Sequence, residues 1–345
     1  MGVRKFFRRL VLTVFLLCLI AAGFLGWSFY AAIYKWTSPI KAIVEIEPGS
    51  SVQTIALKLA ANKVLNTPKI FTAYVRLAGK SGKLKAGEYE FPAGLTAHEV
   101  LQKILKGDVI HYELQIIEGW SVADIADYLA KQPIITDPQF AADFKRLAKS
   151  KEGYMFPDTY RILRPKSAQD LIDRFEARFN EVYSPEIAAV AKDQGLSKQE
   201  VITLASIVEK ETGLADERPV IASVFLNRLK NNIALQSDPT VIYGLSNFDG
   251  NLRKQDLANP HPYNTYVHAG LPPGPICNPG QASIEAVLYP AQTHYLYFVS
   301  KNDGSHEFSR TLEEHNRAVQ KYQMRRNVSN NPPKSLPAPK IIPQR

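Results

Sequence analysis

Hydrophobic residues recur with helical spacing between Val201 and Glu211, and the polar residues around them predict where the helix begins. Ser197 and Glu200 form an S-x-x-E capping box, which predicts a helix that begins just before Val201. At ~100° per residue, one face of this helix carries an apolar stripe made of Val201, Leu204, Ala205 and Val208. Glu211 extends the same stripe, so the pattern predicts a carboxylate at the last turn of a buried helix.

Two interpretations of Glu211 follow from this position. Burial disfavours a charged carboxylate and raises its pKa, and a carboxylic acid that stays protonated near neutral pH suits a general acid for glycosidic cleavage. Alternatively, the helix simply leaves the core here and the carboxylate pairs with a nearby base such as Arg218. Glu209 lies on the flank of the stripe, and we expect it to be solvated or paired with a basic group.

The N-terminal segment is apolar for much longer than any other. Four basic residues within residues 1–9 precede an uncharged run from Leu10 to Tyr34. A bilayer needs about 20 apolar residues, whereas the apolar part of a signal peptide has only ~7–15. We therefore predict a retained transmembrane helix over residues 10–34. The basic residues predict that residues 1–9 are cytoplasmic and that the rest of the chain lies outside the membrane.

Short strand and helix patterns alternate over residues 35–112 and predict a small α+β module. Its order is a PGSS turn, a helix, the strand segment AGEYEF and a helix that ends in Lys106-Gly107. This order resembles a divergent LysM-like module, a resemblance that implies binding of glycans containing N-acetylglucosamine. A spacer between the membrane anchor and the rest of the chain is the equal alternative.

Residues 113–325 are mostly helical by pattern, with short strands, and three of their segments are rich in groups that bind sugars. An aromatic loop at residues 152–160 contains Tyr154 and Asp158, although packing alone also explains its rings. Asp238-Pro239 predicts a turn, with Gln236 close to it. Residues 259–280 contain too many prolines and glycines for a regular element and predict a rigid loop, which carries Asn264 and Tyr266.

Composition and charge exclude several classes of protein. With 45% hydrophobic and 22% charged residues, the chain is typical of a globular protein with a substantial core. The net charge of +9 includes basic residues at both ends, and no basic run interleaved with aromatics occurs between them, so we predict no nucleic-acid partner. Neither the two cysteines nor the seven histidines have metal-ligand spacing, so we predict no metal and no cofactor. Residues 326–345 are rich in proline and predict a disordered basic tail.

Several separated motifs together resemble one known family. They are EGYMFPDTY at 152–160, ASIVEKET at 205–212, QSDPTVIYG at 236–244, YNTY at 263–266, GLPPGPI at 270–276 and YLYFV at 295–299. In this order they resemble the YceG-like family, the endolytic murein transglycosylases of bacterial cell envelopes. The resemblance implies an α+β fold with a LysM-like module and a helix-rich catalytic domain at 113–325, whose catalytic helix resembles that of lysozyme-like transglycosylases.

The resemblance also implies a reaction and a catalytic residue. Such a lyase cuts glycan strands internally and leaves 1,6-anhydro-N-acetylmuramic acid ends, with Glu211 as general acid and then as base for the C6 hydroxyl. The candidates for glycan binding are Tyr154, Asp158, Gln236, Asp238, Asn264 and Tyr266. The implied partners are peptidoglycan glycan strands and membrane-bound peptidoglycan synthases, and the implied location is the bacterial cytoplasmic membrane.

Two alternatives remain open from the sequence. One is a membrane-anchored scaffold that binds peptidoglycan or synthesis enzymes without cutting. The other is a hydrolase with two carboxylates, in which Glu211 is the acid and Asp158 or Asp238 is the base. The products distinguish the three: anhydro ends for the lyase, reducing ends for the hydrolase and none for the scaffold.

Overall fold

The computed structural model describes residues 2–323, and the predicted tail at 326–345 lies outside them. Within the described residues, long and short helices dominate and the strands are short and paired two by two. The predicted α+β class with one N-terminal apolar helix and a helix-rich body is therefore confirmed.

The helices and strands follow one another in an irregular order. The helices are α1 Gly2–Tyr34, α2 Val52–Ala61, α3 Pro68–Leu77, α4 Ala97–Lys106, α5 Val122–Leu129, α6 Phe140–Ala148, α7 Ala168–Val182, α8 Pro185–Asp193, α9 Lys198–Glu211, α10 Arg218–Lys230, α11 Asp238–Gly244, α12 Lys254–Leu257, α13 Gln281–Leu288 and α14 Leu312–Tyr322. The strands are β1 Ala42–Ile46, β2 Gly87–Phe91, β3 Tyr112–Gln115, β4 Thr159–Ile162, β5 Tyr297–Ser300 and β6 His306–Ser309. Short 3₁₀ turns occupy Ser81–Lys83, Lys149–Lys151 and Ala215–Glu217.

The described chain divides into two compact units, and the first comprises the residues up to Leu114 together with Tyr160–Arg164. Strands β1 and β2 pair antiparallel, and their alternating residues face a core beneath α2, α3 and α4. The fully buried rings of Phe71, Tyr89 and Phe91 fill that core. Thr96 and Glu99 form a capping box that begins α4.

Helix α1 is the long apolar element. Over Phe6–Tyr34 it is long and apolar enough to cross a membrane. It begins earlier than the predicted span because the basic residues before Leu10 are also good helix formers. At its other end Ile33 is fully buried in the first unit, and the rings of Phe29 and Tyr34 lie edge-on to Tyr74 of α3.

The second unit comprises Gln115–Thr159 and the described residues from Pro165 onward. Its core is built around α9, in which every residue from Val201 to Val208 is buried, and α10 and α13 pack against it. Strands β5 and β6 pair antiparallel, and Phe298 of β5 packs edge-on against Phe225 of α10. This packing fixes the last turn of α9 relative to the hairpin of β5 and β6.

Two loop predictions have different outcomes. Residues 259–280 contain no helix or strand, as predicted, and every residue from Gly274 to Gly280 is buried; the rigidity of this loop stays a prediction. The predicted turn at Asp238-Pro239 is wrong, because these residues begin the short helix α11. Proline is tolerated in the first turn of a helix, where its missing N–H has no intrahelical acceptor.

Candidate active site

Helix α9 ends at Glu211, and the local sequence explains both of its ends. At the start, Ser197 Oγ accepts from the backbone N–H of Glu200, and the side chain of Glu200 accepts from the backbone N–H of Ser197. The predicted capping box is therefore confirmed. At the end, Thr212 is extended and its N–H closes the last turn onto Val208. The carboxylate of Glu211 therefore lies at the C-terminus of the helix, where the helix dipole also disfavours a negative charge.

The side chain of Glu211 lines a cavity of about 350 Å³. The cavity lies between the end of α9, the segment before α11 and the hairpin of β5 and β6. Its walls are made by Glu211, Arg228, Leu235, Gln236, Asp238, Tyr266, Phe298, Val299, Ser300, His306, His315, Val319 and Gln323. Four residues predicted from the sequence thus meet here: Glu211, Gln236, Asp238 and Tyr266.

Burial raises the pKa of Glu211 from its usual 4.5 to about 7. The negative charge of Asp238 adds to the rise, whereas the hydroxyl of Ser237 and the positive charge of Arg228 oppose it. Ser237 Oγ donates to Glu211 Oε1 at 2.5 Å. A carboxyl group with this pKa is largely protonated just below neutral pH and can still lose its proton.

The segment before α11 holds Ser237 in place through backbone and threonine contacts. The N–H of Ser237 donates to Thr265 Oγ1 at 3.0 Å, and Thr240 Oγ1 donates to the carbonyl of Ser237 at 2.6 Å. Gln236 has a φ of 50°, which is uncommon for a residue other than glycine, and its N–H donates to Thr265 O. These bonds direct the Ser237 hydroxyl at Glu211.

Tyr266 and Asp238 form a second polar pair in the cavity. Tyr266 Oη donates to Asp238 Oδ1 at 2.6 Å. Burial, followed by the hydrogen bond to Asp238 and the negative charge of that residue, raises the pKa of Tyr266, so the phenol keeps its hydrogen and remains a donor. One oxygen of Asp238 is thereby occupied.

No metal-binding cluster is found in the part of the chain that the structure describes: across residues 2–323, no three His, Cys, Asp or Glu side chains come together closely enough to hold an ion. The cavity itself offers two imidazoles, two carboxyl groups and one guanidinium. Its chemistry is therefore that of proton transfer and hydrogen bonding to a polar ligand.

Comparison with known proteins shows the family of this chain. The sequence model of the YceG-like family matches residues 44–321, which is most of the chain. The chain belongs to the YceG-like family. The resemblance inferred from the separated motifs is therefore confirmed.

Relatives of this YceG-like chain have consistent names. The endolytic murein transglycosylase of Bacillus subtilis (strain 168) is 36% identical over 312 residues, which cover 82% of this chain and 85% of the relative. The endolytic murein transglycosylase of Streptococcus pneumoniae serotype 2 (strain D39 / NCTC 7466) is 29% identical; the match covers 89% of this chain and 63% of that longer relative. The crystal structure of a yceG-like protein from Listeria monocytogenes has 35% identity and a TM-score of 0.52, and covers 80% of this chain and 98% of that one.

Three candidates from the YceG-like motifs do not line the cavity in the described residues. Asp158 pairs with Arg178 at 2.7 Å. Tyr154 packs edge-on against Phe179 in the core. The side chain of Asn264 is buried and bonds only to nearby backbone groups, donating to Leu257 at the end of α12 and to Asn259, and accepting from Tyr266. Their roles in glycan binding stay predictions.

Glu209 behaves quite differently from Glu211. Its side chain is only 7% exposed and its Oε1 lies 3.7 Å from Nη2 of Arg218. Its Oε2 accepts from Gly280 N at 2.9 Å and from Ser283 Oγ at 2.7 Å. The expectation that Glu209 is either solvated or paired with a basic group is confirmed in its second form. Arg218 therefore pairs with Glu209. The structure does not support the alternative interpretation, in which Arg218 pairs with Glu211.

Four residues of this site were not predicted from the sequence. Ser237, Arg228, His306 and His315 all border the cavity or contact Glu211. For Arg228 there was a signal, because a cation stands within the apolar α10. His306 had none, since its carboxylate partner Glu217 lies 89 positions earlier in the chain.

Proposed function

We propose that this chain is an endolytic peptidoglycan transglycosylase, a lyase that cleaves glycan strands at the bond between N-acetylmuramic acid and N-acetylglucosamine. Membership of the YceG-like family and relatives named as endolytic murein transglycosylases support this. The observation that carries the proposal is Glu211, a carboxyl group with a pKa of about 7 at the wall of a polar cavity.

The proposed mechanism uses Glu211 twice. As an acid it protonates the glycosidic oxygen while the bond to C1 breaks. As a carboxylate it then takes the proton of the C6 hydroxyl, whose oxygen bonds to C1 and closes the 1,6-anhydro ring. Because the nucleophile belongs to the substrate, no positioned water and no second carboxylate are required. The Ser237 hydroxyl supports the carboxylate between the two steps.

Product analysis tests the reaction. Purified peptidoglycan is digested with the full-length protein in detergent, and the fragments are analysed by mass spectrometry. We expect internal fragments with 1,6-anhydro ends. Reducing ends instead would favour the two-carboxylate hydrolase, for which Asp238 in the same cavity is the better base, since Asp158 is paired with Arg178. A folded protein that yields neither product would favour the non-cutting scaffold.

The pH dependence of the rate gives a second test. A general acid must be protonated, so kcat/KM is expected to fall as pH rises through about 7. Ser237→Ala removes a donor that stabilises the carboxylate, which raises the pKa of Glu211. The falling limb of the pH profile of kcat/KM should therefore move to higher pH. Asp238→Asn removes a neighbouring negative charge and moves the limb to lower pH. Profiles between pH 5 and pH 9 measure both, and shifts in the same direction would contradict the assignment.

The proposed architecture surrounds this catalytic part. We propose that residues 10–34 anchor the chain in the cytoplasmic membrane with residues 1–9 inside, that 35–112 form the LysM-like module and that 113–325 form the catalytic domain. The apolar helix and the antiparallel pair of β1 and β2 around two helices support the first two. Periplasmic reporter activity from a C-terminal fusion, lost when residues 1–34 are deleted, tests the anchor.

Three finer proposals complete the picture. Sugar binding by the LysM-like module is tested by sedimenting that module with insoluble peptidoglycan. The likeness of α9 to the catalytic helix of lysozyme-like transglycosylases rests on its terminal glutamate. Partnership with membrane synthases rests on the shared substrate, and a pull-down of the membrane-bound chain that recovers no synthase would count against it.

A further inference from the structure

His306, the first residue of β6, is held by a carboxylate on the neighbouring turn. Its Nδ1 lies 2.7 Å from Oε2 of Glu217, and its backbone N–H donates to Oε1 of the same carboxylate at 2.8 Å. Both side chains are largely buried, with exposed fractions of 11% and 14%. This two-point contact fixes the plane and the orientation of the imidazole ring.

The contact with Glu217 also decides what the other ring nitrogen offers. A carboxylate accepts hydrogen bonds, so Nδ1 of His306 carries the hydrogen and Nε2 of the neutral ring is an acceptor. His306 lines the cavity of Glu211. Among residues 2–323, Nε2 has no hydrogen-bond partner and is not sealed from solvent. The cavity therefore contains an oriented and unused acceptor.

Arg228 supplies the complementary donor. Its Nε donates to the carbonyl of Leu296 at 2.6 Å, and its Nη1 donates to the carbonyls of Ala234 and Leu235 at 3.1 and 2.8 Å. The guanidinium also lies 5.1 Å from the ring centre of Tyr297. The residue is only 7% exposed, yet within the described chain Nη2 is left without an acceptor.

An amide group matches this pair. It has a donor and an acceptor on two different atoms, whereas a hydroxyl has both on one. A ligand that fills the cavity displaces water from both groups, and polar groups that it then leaves unpaired are costly, so the site rejects a ligand that lacks the matching groups. The sugars of the proposed substrate each carry one amide close to the reacting carbon, the acetamido group at C2.

We propose that His306 and Arg228 recognise the acetamido group of the sugar whose bond Glu211 cleaves. His306 Nε2 accepts the amide hydrogen and Arg228 Nη2 donates to the carbonyl oxygen. Glu217 is a positioning residue that acts through His306. This inference rests on the proposed function and adds the residues that distinguish its 2-acetamido sugars from 2-amino sugars. A free amine at C2 lacks the carbonyl and, when protonated, is repelled by Arg228.

The test compares two substrates with the full-length protein. One is peptidoglycan strands with their acetamido groups intact, and the other is the same strands after N-deacetylation; chemical re-acetylation of the second provides the control. We expect wild type to favour the acetylated strands by about 10²-fold in kcat/KM. Equal rates on both would overturn this inference alone, whereas no anhydro-ended products from either would overturn the proposed function.

Two isosteric variants of His306 separate recognition from folding. In His306→Asn the amide N–H replaces Nδ1–H toward Glu217 but does not reach the position of Nε2. We expect this variant to keep the wild-type melting temperature. Its preference for acetylated over deacetylated strands should be about tenfold smaller than that of wild type. His306→Gln reaches the position of Nε2 and should keep more of the preference. The exposed His294 gives a matched control, and His294→Asn should behave as wild type.

Two further variants act without changing His306. In Glu217→Gln the new amide donates to Nδ1, which moves the ring hydrogen to Nε2 and turns the acceptor into a donor. Arg228→Lys keeps the charge but loses the planar group held by the three carbonyls. We expect each variant to lower the preference for acetylated strands. A preference unchanged from wild type in His306→Asn, or in these two variants if that one does not fold, would overturn the assignment.

Discussion

Glu211→Gln is expected to lower the rate of anhydro-end formation by about 10³-fold or more while the protein stays folded. Glutamine has nearly the same shape but has no proton to give to a glycosidic oxygen, and general acid catalysis alone contributes about 10²–10⁴-fold. In the proposed mechanism the same group also takes the C6 proton, so both steps fail together. Mass spectrometry of digested peptidoglycan measures the loss.

Stability provides the internal control for this variant. The folded-state pKa of Glu211 is about 7, above the usual 4.5, so the unfolded chain loses this proton at lower pH than the folded one. The contribution of Glu211 to stability is fully present below pH 4.5 and is lost as pH rises to about 7. Glu211→Gln should therefore be at least as stable as wild type above pH 7. A variant that is inactive only because it has unfolded would contradict the prediction.

The sequence predicted Glu211 because the relevant signals are local. A capping box and an apolar stripe occupy one segment of 15 residues, and both depend only on helix geometry. The position of the carboxylate at the last buried turn follows from the spacing alone. For the same reason β2 and the end of α4 were predicted close to their observed bounds.

Contacts between distant residues were beyond such reasoning. Ser237 reaches Glu211 across 26 positions and His306 reaches Glu217 across 89. No periodicity links such partners, because the folded core brings them together. Asn264 illustrates the opposite case. A polar residue in this loop suggested ligand binding, yet its side chain forms hydrogen bonds with nearby backbone groups. The sequence therefore predicted which kinds of residue occur at the site, but it did not predict which contacts each side chain makes.

Glu209→Gln should have the opposite effect to Glu211→Gln, although the two glutamates are two residues apart on α9. The neutral side chain leaves Arg218 as a buried cation without its partner, and one nitrogen of that guanidinium, Nε, already has no hydrogen-bond acceptor. Breaking a buried pair in this way costs about 3 kcal/mol. Chemical denaturation measures the loss, and the activity per folded molecule should stay close to that of wild type. A large loss of that activity without a loss of stability would exchange the roles of the two residues.

A double variant tests the cause of this instability. If the unpaired charge of Arg218 is responsible, then Arg218→Gln introduced into the Glu209→Gln chain should recover part of the lost stability, because it removes the stranded cation. If instead the bonds from Gly280 and Ser283 to the carboxylate dominate, the second substitution should bring no recovery. We expect recovery, because Glu209 and Arg218 are only 7% and 12% exposed and a charge that has lost its ion-pair partner at that depth is poorly solvated. Helix α9 would then carry two carboxyl groups with different roles. Glu211 transfers a proton in the reaction, and Glu209 stabilises the fold by pairing with Arg218.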